Sequence, residues 1–412
     1  MYIDYEKISE KLGFGKDFFY KLKVRQNLAY IKKNRKQVLK KLKNKSPLQV
    51  IFYVYDETKW KSQSVYDLML EDERFNPTIV VTKNCAVKEN ANFQTTDDVK
   101  KCYEFFKSKG MNVVYGYDLQ KDDFIPFEEF NPDIIIYSHP WYVYKTQGPV
   151  ICSKFALTFY IPYFLPASVK WHDYDLRFHK YIFRHYVPTE LIKELYTKNM
   201  TENSESLVVA GHPIFDEYSD KNSFTPKYLI YAPHWTVCGN NLRFGTFDWS
   251  GGKLLEFAKT HPELNWVFRP HPLMYKFILT SGFMTKEEID KYFDEWKKIA
   301  VFSESGDYMD LFKSSYAMIT DCGSFLTEYF VSEKPVIHLV SEAFKGNPVV
   351  EDIDRTYYTA HNTEELQEHL NELLLRNNDY KKSARAGLLQ KLNLMNNQSA
   401  KRIIDDIINS IT

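Results

Sequence analysis

The chain has 412 residues, enough for two or three domains of ordinary size. Hydrophobic residues at 44%, charged residues at 26% and a formal net charge of zero are ordinary for a soluble globular protein, and no nucleic-acid partner is expected. The longest apolar stretch, Phe155 to Val169, is broken by Pro162 and Pro166 and is shorter than the roughly 20 residues that span a bilayer, which argues against a transmembrane helix.

Residues 1–46 read as a basic helical extension without a signal-peptide pattern. Leu22, Leu28, Ile31, Val38 and Leu42 form an irregular apolar stripe with Lys and Arg around it. Phe18 to Tyr55 holds no acidic residue, and Lys21 to Lys45 carries eleven Lys or Arg, so the rest of the chain is acidic on balance. Such an arm either packs on the protein body or attracts polyanions: phosphorylated glycans, anionic lipid or nucleic acid. An anionic membrane surface met through Lys21 to Lys45 is the partner expected here.

Residues 47–215 read as an α/β domain. Leu48 to Tyr55 is a compact apolar run suited to a buried parallel strand. Strands are also expected at Thr78–Thr82, Asn112–Tyr115 and Pro132–Tyr137, with helices over Trp60–Leu70 and Asp97–Gly110. Residues 216–395 repeat the alternation. Strands are expected at Tyr228–Tyr231, Asn265–Phe268, Ile299–Phe302, Ala317–Thr320 and Pro335–Leu339, and helices at Gly252–Lys259, Lys286–Lys298, Tyr308–Lys313 and Ser324–Val331. The chain from Thr363 to Ile411 reads as helical, with 396–412 set apart as a terminal helix. The fold class is α/β: two Rossmann-like domains facing across a cleft, with ligands at the carboxyl ends of strands.

Four segments carry candidate chemistry. After the strand ending at Thr320, Gly323 and Ser324 open a helix, whose N–H groups suit an anion. Gly323 permits close backbone approach, Thr320 and Ser324 add hydroxyls, and Glu328 lies one turn on, where a carboxylate accepts ribose hydroxyls. The plainer alternative is a serine-capped strand–helix connection. Arg269 and His271 sit in a turn fixed by Pro270 and Pro272: the guanidinium suits phosphate oxygens, and a protonated imidazole suits the charge growing on a leaving phosphate. His234 and Thr236 follow Tyr228–Tyr231, with a polar loop from Cys238 to Gly252 carrying Arg243, Thr246 and Asp248. Gly211 and Pro213 suit a turn at the domain junction.

With these blocks in order, the C-terminal half resembles the CDP-glycerol glycerophosphotransferase family, which includes teichoic-acid glycerophosphate polymerases of GT-B-like fold. Gly211-His-Pro-Ile-Phe-Asp216 is similar to the family's Gly-x-Pro-x-x-Asp, Tyr231-Ala-Pro-His-Trp235 to Tyr-Ala-Pro-Thr-Trp, and Arg269-Pro-His-Pro272 to Arg-x-His-Pro. Thr320-Asp-Cys-Gly-Ser324, Glu328-Tyr329 and Lys334-Pro335 are similar to Thr-Asp-Tyr-Ser-Ser, Asp-Tyr and Lys-Pro, and Gly306 to Phe312 adds a further block. The resemblance implies a CDP-activated polyol donor, a substrate rather than a cofactor, held by Arg269, His271, Thr320, Ser324 and Glu328. His234, Thr236, Asp321 and Gly323 complete the expected donor site. Three departures stand out. Cys322-Gly-Ser324 replaces a tandem Ser-Ser, His234 replaces Thr, and the family's Trp-His-Gly-Thr block, with its proposed base, is absent from Thr158 to Phe164. His139 is the substitute base, with His172 or Asp173 as alternatives.

The expected reaction moves a polyol phosphate to a hydroxyl of a glycan or polyol-phosphate acceptor and releases CMP. A glycosyltransferase using a nucleotide sugar and a non-catalytic glycan-assembly subunit are the alternatives. The five cysteines are scattered without zinc spacing, and no metal is expected. A reducing compartment fits them, so the expected location is cytoplasmic, peripheral on the inner face of the membrane.

Overall fold

The apolar run of the first domain forms strand β1, Leu48–Val54, in the computed structural model, which describes residues 16–87, 93–167, 174–237, 244–303, 308–394 and 398–412, without the side chains of 16–18 and 221. Contacts divide the chain into two units. One comprises Met1–Tyr163, Trp171–Ala210 and Ala400–Thr412; the other comprises Phe164–Lys170 and Gly211–Ser399.

In the first unit β1 is followed by β2 (Phe75–Val81), β3 (Val113–Tyr115), the short antiparallel pair β4 (Tyr117–Asp118) and β5 (Asp123–Phe124), β6 (Ile134–Tyr137), β7 (Leu157–Tyr160), β8 (Arg184–Val187) and β9 (Leu207–Val209). The main sheet is parallel and runs β3-β2-β1-β6-β7-β8-β9. β2 begins at Phe75, ahead of the expected Thr78, because Pro77 is tolerated. β3 pairs only with Ile79, Val80 and Val81, so the missing N–H of Pro77 falls outside that ladder.

The second unit holds β10 (Tyr228–Ala232), β11 (Trp266–Phe268), β12 (Val301–Phe302), β13 (Ser315–Thr320), β14 (Val336–Leu339) and β15 (Tyr358–Ala360). They form a parallel sheet in the order β12-β11-β10-β13-β14-β15. Its core packs Trp266, Trp296, Phe268 and Tyr231 with aliphatic side chains from both faces. In each sheet the order reverses beside the first strand, between β1 and β6 in one and between β10 and β13 in the other. Ligands of open α/β sheets sit at such switch points, beyond the carboxyl ends of the strands.

Two terminal elements complete the first unit. The basic extension forms one helix, Lys16–Leu42. Its Val24 and Ile31 pack with Tyr181, and Val38 and Leu42 enter the main core. The expected helical stretch from Thr363 is divided: Thr363–His369 runs into a π-helical turn, Leu370–Leu375, and is followed by Lys382–Leu392 and Ser399–Ile411. Asn377 and Asn393 take left-handed conformations where it breaks. The last helix returns to the first unit's core through Ile403, Ile404, Ile407 and Ile411. Each buried isoleucine contributes about 1.5–3 kcal/mol, which is why this helix docks rather than standing apart. Among the described residues no helix is long and apolar enough to cross a membrane.

Candidate functional site

The switch point of the second sheet is closed by one carboxylate. β13 delivers Asp321, whose Oδ1 accepts the backbone N–H of His234 at 2.6 Å. Its Oδ2 accepts the N–H and hydroxyl of Thr246 at 2.7 and 3.0 Å. Burial pushes the Asp321 carboxyl up from its usual range, and these donors oppose that shift. Asp321 therefore ties the loop after β10 to the end of β13 and to the start of the helix Phe247–Thr260. Both its oxygens serve the protein, so it positions the site rather than contacting a donor directly.

His234 is held from behind. The Thr236 hydroxyl accepts N–H bonds from Phe244 (3.1 Å) and Gly245 (2.8 Å), so its own proton goes to His234 Nδ1, 2.9 Å away. The Thr236 N–H points to the same nitrogen. Nδ1 is thus an acceptor, and the neutral ring carries its proton on Nε2. Burial, then the neighbouring His271, holds this imidazole well below the ordinary histidine range. The construction needs glycine at 245: an added Cβ would lie 1.6 Å from the Thr236 carbonyl oxygen. Cys238 and Arg243 of the same loop lie outside the described residues.

His271 follows β11. Its N–H donates to the Pro233 carbonyl, and its Nδ1 accepts the Leu273 N–H at 3.1 Å. With Nδ1 occupied as an acceptor, Nε2 is the ring nitrogen that carries a proton. The His234 and His271 ring centroids are 5.5 Å apart.

Arg269 is 9% exposed. Its Nη1 donates to Ser303 Oγ at 2.6 Å, and its guanidinium carbon lies 5.2 Å from the centre of the Tyr308 ring. The Tyr308 hydroxyl donates a short hydrogen bond to Glu328. Burial, then the Glu328 charge, drives the Tyr308 phenol well above its usual range, so it stays a donor. Glu328 is 2% exposed and engaged by Tyr308, whereas the sequence offered its carboxylate to a ribose. Nor is the Thr320 hydroxyl presented outward: it donates to the Ala232 carbonyl and accepts the Cys322 N–H.

Gly323 opens a helix of only six residues, Gly323–Glu328. An added Cβ there would make ordinary contacts at 3.4 to 4.0 Å with Ala167, Phe244 and Phe344, so the fold does not demand glycine at this position. Ser324 is half-buried, its Oγ 3.6 Å from the Cys322 sulfur. Burial pushes that thiol up to about 11.

A model of the CDP-glycerol:poly(glycerophosphate) glycerophosphotransferase family matches residues 184–409. The chain belongs to that family. It is accordingly a glycerophosphotransferase-like enzyme. A variant of the wall teichoic acid polymerase TagF superposes with a TM-score of 0.55 at 14% identity, over 97% of this chain and 98% of that one. The MnaA–UDP complex from S. aureus gives 0.56 at 14%, over 87% and 96%. UDP-GlcNAc 2-epimerase from Neisseria meningitidis, bound to UDP-GlcNAc, gives 0.53 at 14%, over 88% and 99%. These likenesses show the GT-B-like α/β fold. No curated protein matches the chain.

Family membership gives the Gly306–Phe312 block a place. Its Tyr308 is the residue between Arg269 and Glu328, while Gly306 and Asp307 lie outside the described residues. Ser303 escaped the sequence reading. Its only signal is that it follows a strand, β12, as the other site residues follow theirs.

His139 lies in the first unit, just past β6 at the β1–β6 switch point. It is fully buried, its ring 3.7 Å from that of Tyr55 and 6.1 Å from that of Tyr163. Tyr163 belongs to the stretch where the family's histidine block is missing. The His139 Nδ1 lies 2.7 Å from Ser138 Oγ, which is also 3.4 Å from the Tyr53 carbonyl. Nε2 has no hydrogen-bond partner among the described residues. Burial, then Lys59, holds the ring's pKa well below the ordinary range. His172 and Asp173, the alternative bases, lie outside the described residues.

Proposed function

We propose that this enzyme transfers a polyol phosphate, glycerol phosphate or a close relative, from a CDP-activated donor to a hydroxyl of a cell-surface glycan or polyol-phosphate chain, releasing CMP. The reading rests on His234 and His271, which follow β10 and β11 with ring centroids 5.5 Å apart and each accept at Nδ1 from their own loop, the arrangement that leaves Nε2 to serve a phosphate. The donor's pyrophosphate would be held by His234 and His271, with the Arg269 cation and the Ser324 hydroxyl as further contacts. Thr236, Thr320, Asp321 and Glu328 would hold these groups in place.

In this reading the acceptor oxygen attacks the phosphorus that bears the polyol. A new P–O bond forms as the bond to CMP breaks. The charge gathering on the leaving phosphate meets donors already oriented by their loops, so little reorganisation is needed in the transition state. The acceptor's proton leaves to a base as this bond forms, and among the described histidines of the first unit His139, whose Nε2 has no hydrogen-bond partner among the described residues, is the candidate. A base disfavoured by burial is weak until charge nearby compensates it, and the anionic phosphates of the substrates would supply that charge.

A nucleotide panel read by thermal shift tests the donor class. CDP-glycerol and CMP should raise Tm more than UDP, GDP or ADP. Preference for UDP would favour a glycosyltransferase, and indifference to every nucleotide would favour a non-catalytic assembly subunit.

A further inference from the structure

The helix Lys16–Leu42 presents a surface that the donor chemistry does not use. Its apolar side chains Val24, Ile31, Val38 and Leu42 are at most 4% exposed, so this face is committed to the first unit rather than to a lipid interface. Tyr20, Leu22 and Tyr30, the large apolar side chains it does expose, are only 36–38% open. What faces solvent is a line of cations: Lys21, Arg25, Lys32, Lys36 and Lys40 are all exposed. At 3.6 residues per turn they fall within an arc of about 100°. Lys41 and Lys45 pair with Asp133, but these five cations have no carboxylate partner among the described residues.

We infer that this stripe is a docking track for a linear phosphodiester chain, the polyol-phosphate acceptor or product. The identity of that chain rests on the function proposed above. Spacing supports the match. Cations four residues apart along a helix are separated by about 6 Å. A glycerol phosphate unit has six main-chain bonds, twice as many as an amino-acid residue, so its extended repeat is about 7 Å, twice a residue's reach. From Lys21 to Lys40 the track runs about 28 Å, or about four repeats, with one wider gap between Arg25 and Lys32. Charge supports it too. The remainder of the chain is acidic on balance and repels a polyanion, so the stripe decides where the chain lies. Each exposed pair is weak, and several engaged along one ligand reinforce each other.

The test uses the full-length protein, fluorescent poly(glycerol phosphate) of graded length, and phosphatidylglycerol vesicles. Affinity for the chain should rise with length up to about four or five units, then level off, and fall with added salt. The variant carrying K32Q, K36Q and K40Q should bind it at least about tenfold more weakly at 0.1 M salt, with an unchanged thermal shift on CDP-glycerol. Undiminished chain binding by that variant overturns the inference. So does wild-type protein that binds vesicles but not the chain, a result that assigns the helix to the membrane. If CDP-glycerol gives no shift while chain binding still depends on the three lysines, the donor reading falls and the track stands.

Discussion

The imidazoles of His234 and His271 lie 5.5 Å apart, and each uses Nδ1 to accept a hydrogen bond from its own loop. With Nδ1 occupied in both rings, Nε2 is the nitrogen of each that carries a proton, and in the proposed reaction both would serve the donor's phosphates. Removing one donor that stabilises transition-state charge typically lowers turnover by about 10²–10³. His271→Ala should fall in that range. His234→Ala should also slow the enzyme, and the double variant should lose less than the product of the single losses, since neighbouring groups couple. Steady-state kinetics on the three variants checks this. Near-normal rates for both single variants would remove the pair from the mechanism.

Asp321 sets the stability of the same site. Its oxygens accept from His234 N, Thr246 N and Thr246 Oγ1, and hydrogen bonds to a charged group contribute about 1.5–3 kcal/mol each. Asp321→Ala should therefore destabilise the protein by about 3–5 kcal/mol, allowing for relaxation of the freed donors. Urea unfolding measures it. A loss below about 1 kcal/mol would mean that the loops hold their positions without this carboxylate.

The two glycines of the site separate fold from function. Gly245→Ala drives a Cβ into the Thr236 carbonyl and should lower both Tm and donor affinity. Gly323→Ala meets only ordinary contacts, so its Tm should match wild type. If the donor's phosphate approaches the backbone there, its CDP-glycerol affinity falls all the same. Equal behaviour of the two variants would contradict the assignment.

Acid should unfold the protein through its buried histidines. Burial holds His139, His185 and His234 well below the ordinary range and His179 at about 4. His179 and His185 stack at 4.9 Å, and neither nitrogen of His185 has a hydrogen-bond partner among the described residues. A depressed folded pKa means that the unfolded chain binds the proton first. Stability is then complete above about pH 6.5 and falls as pH drops toward 4, by up to about 1.4 kcal/mol per pH unit for each histidine. The midpoint of urea unfolding should drop steeply from pH 7 to 5. In His185→Phe the decline should be shallower, whereas an unchanged slope would show that His185 does not contribute.

Much of this architecture is legible in the sequence because it is local. β10, β11 and β13 are short apolar runs that end in Pro, Arg or Thr-Asp, and the residues that follow them build the site. What escapes is set by distant contacts. Asp321 looks like a ligand contact until Thr246 and His234 are seen to occupy it. Glu328 looks exposed on its helix until Tyr308 covers it. His139 follows a strand, but nothing nearby in the sequence announces that Tyr53 and Tyr55 enclose it. The final helix shows four isoleucines on one face and no sign of which core receives them.

Product analysis separates phosphotransfer from a CDP-activated donor from glycosyl transfer. The enzyme is incubated with CDP-glycerol labelled in the glycerol, together with a short poly(glycerol phosphate) acceptor. One CMP should be released for each labelled glycerol phosphate joined to the acceptor, with both products lost in His271→Ala. Release of CDP, or incorporation of glycerol without its phosphate, would contradict it.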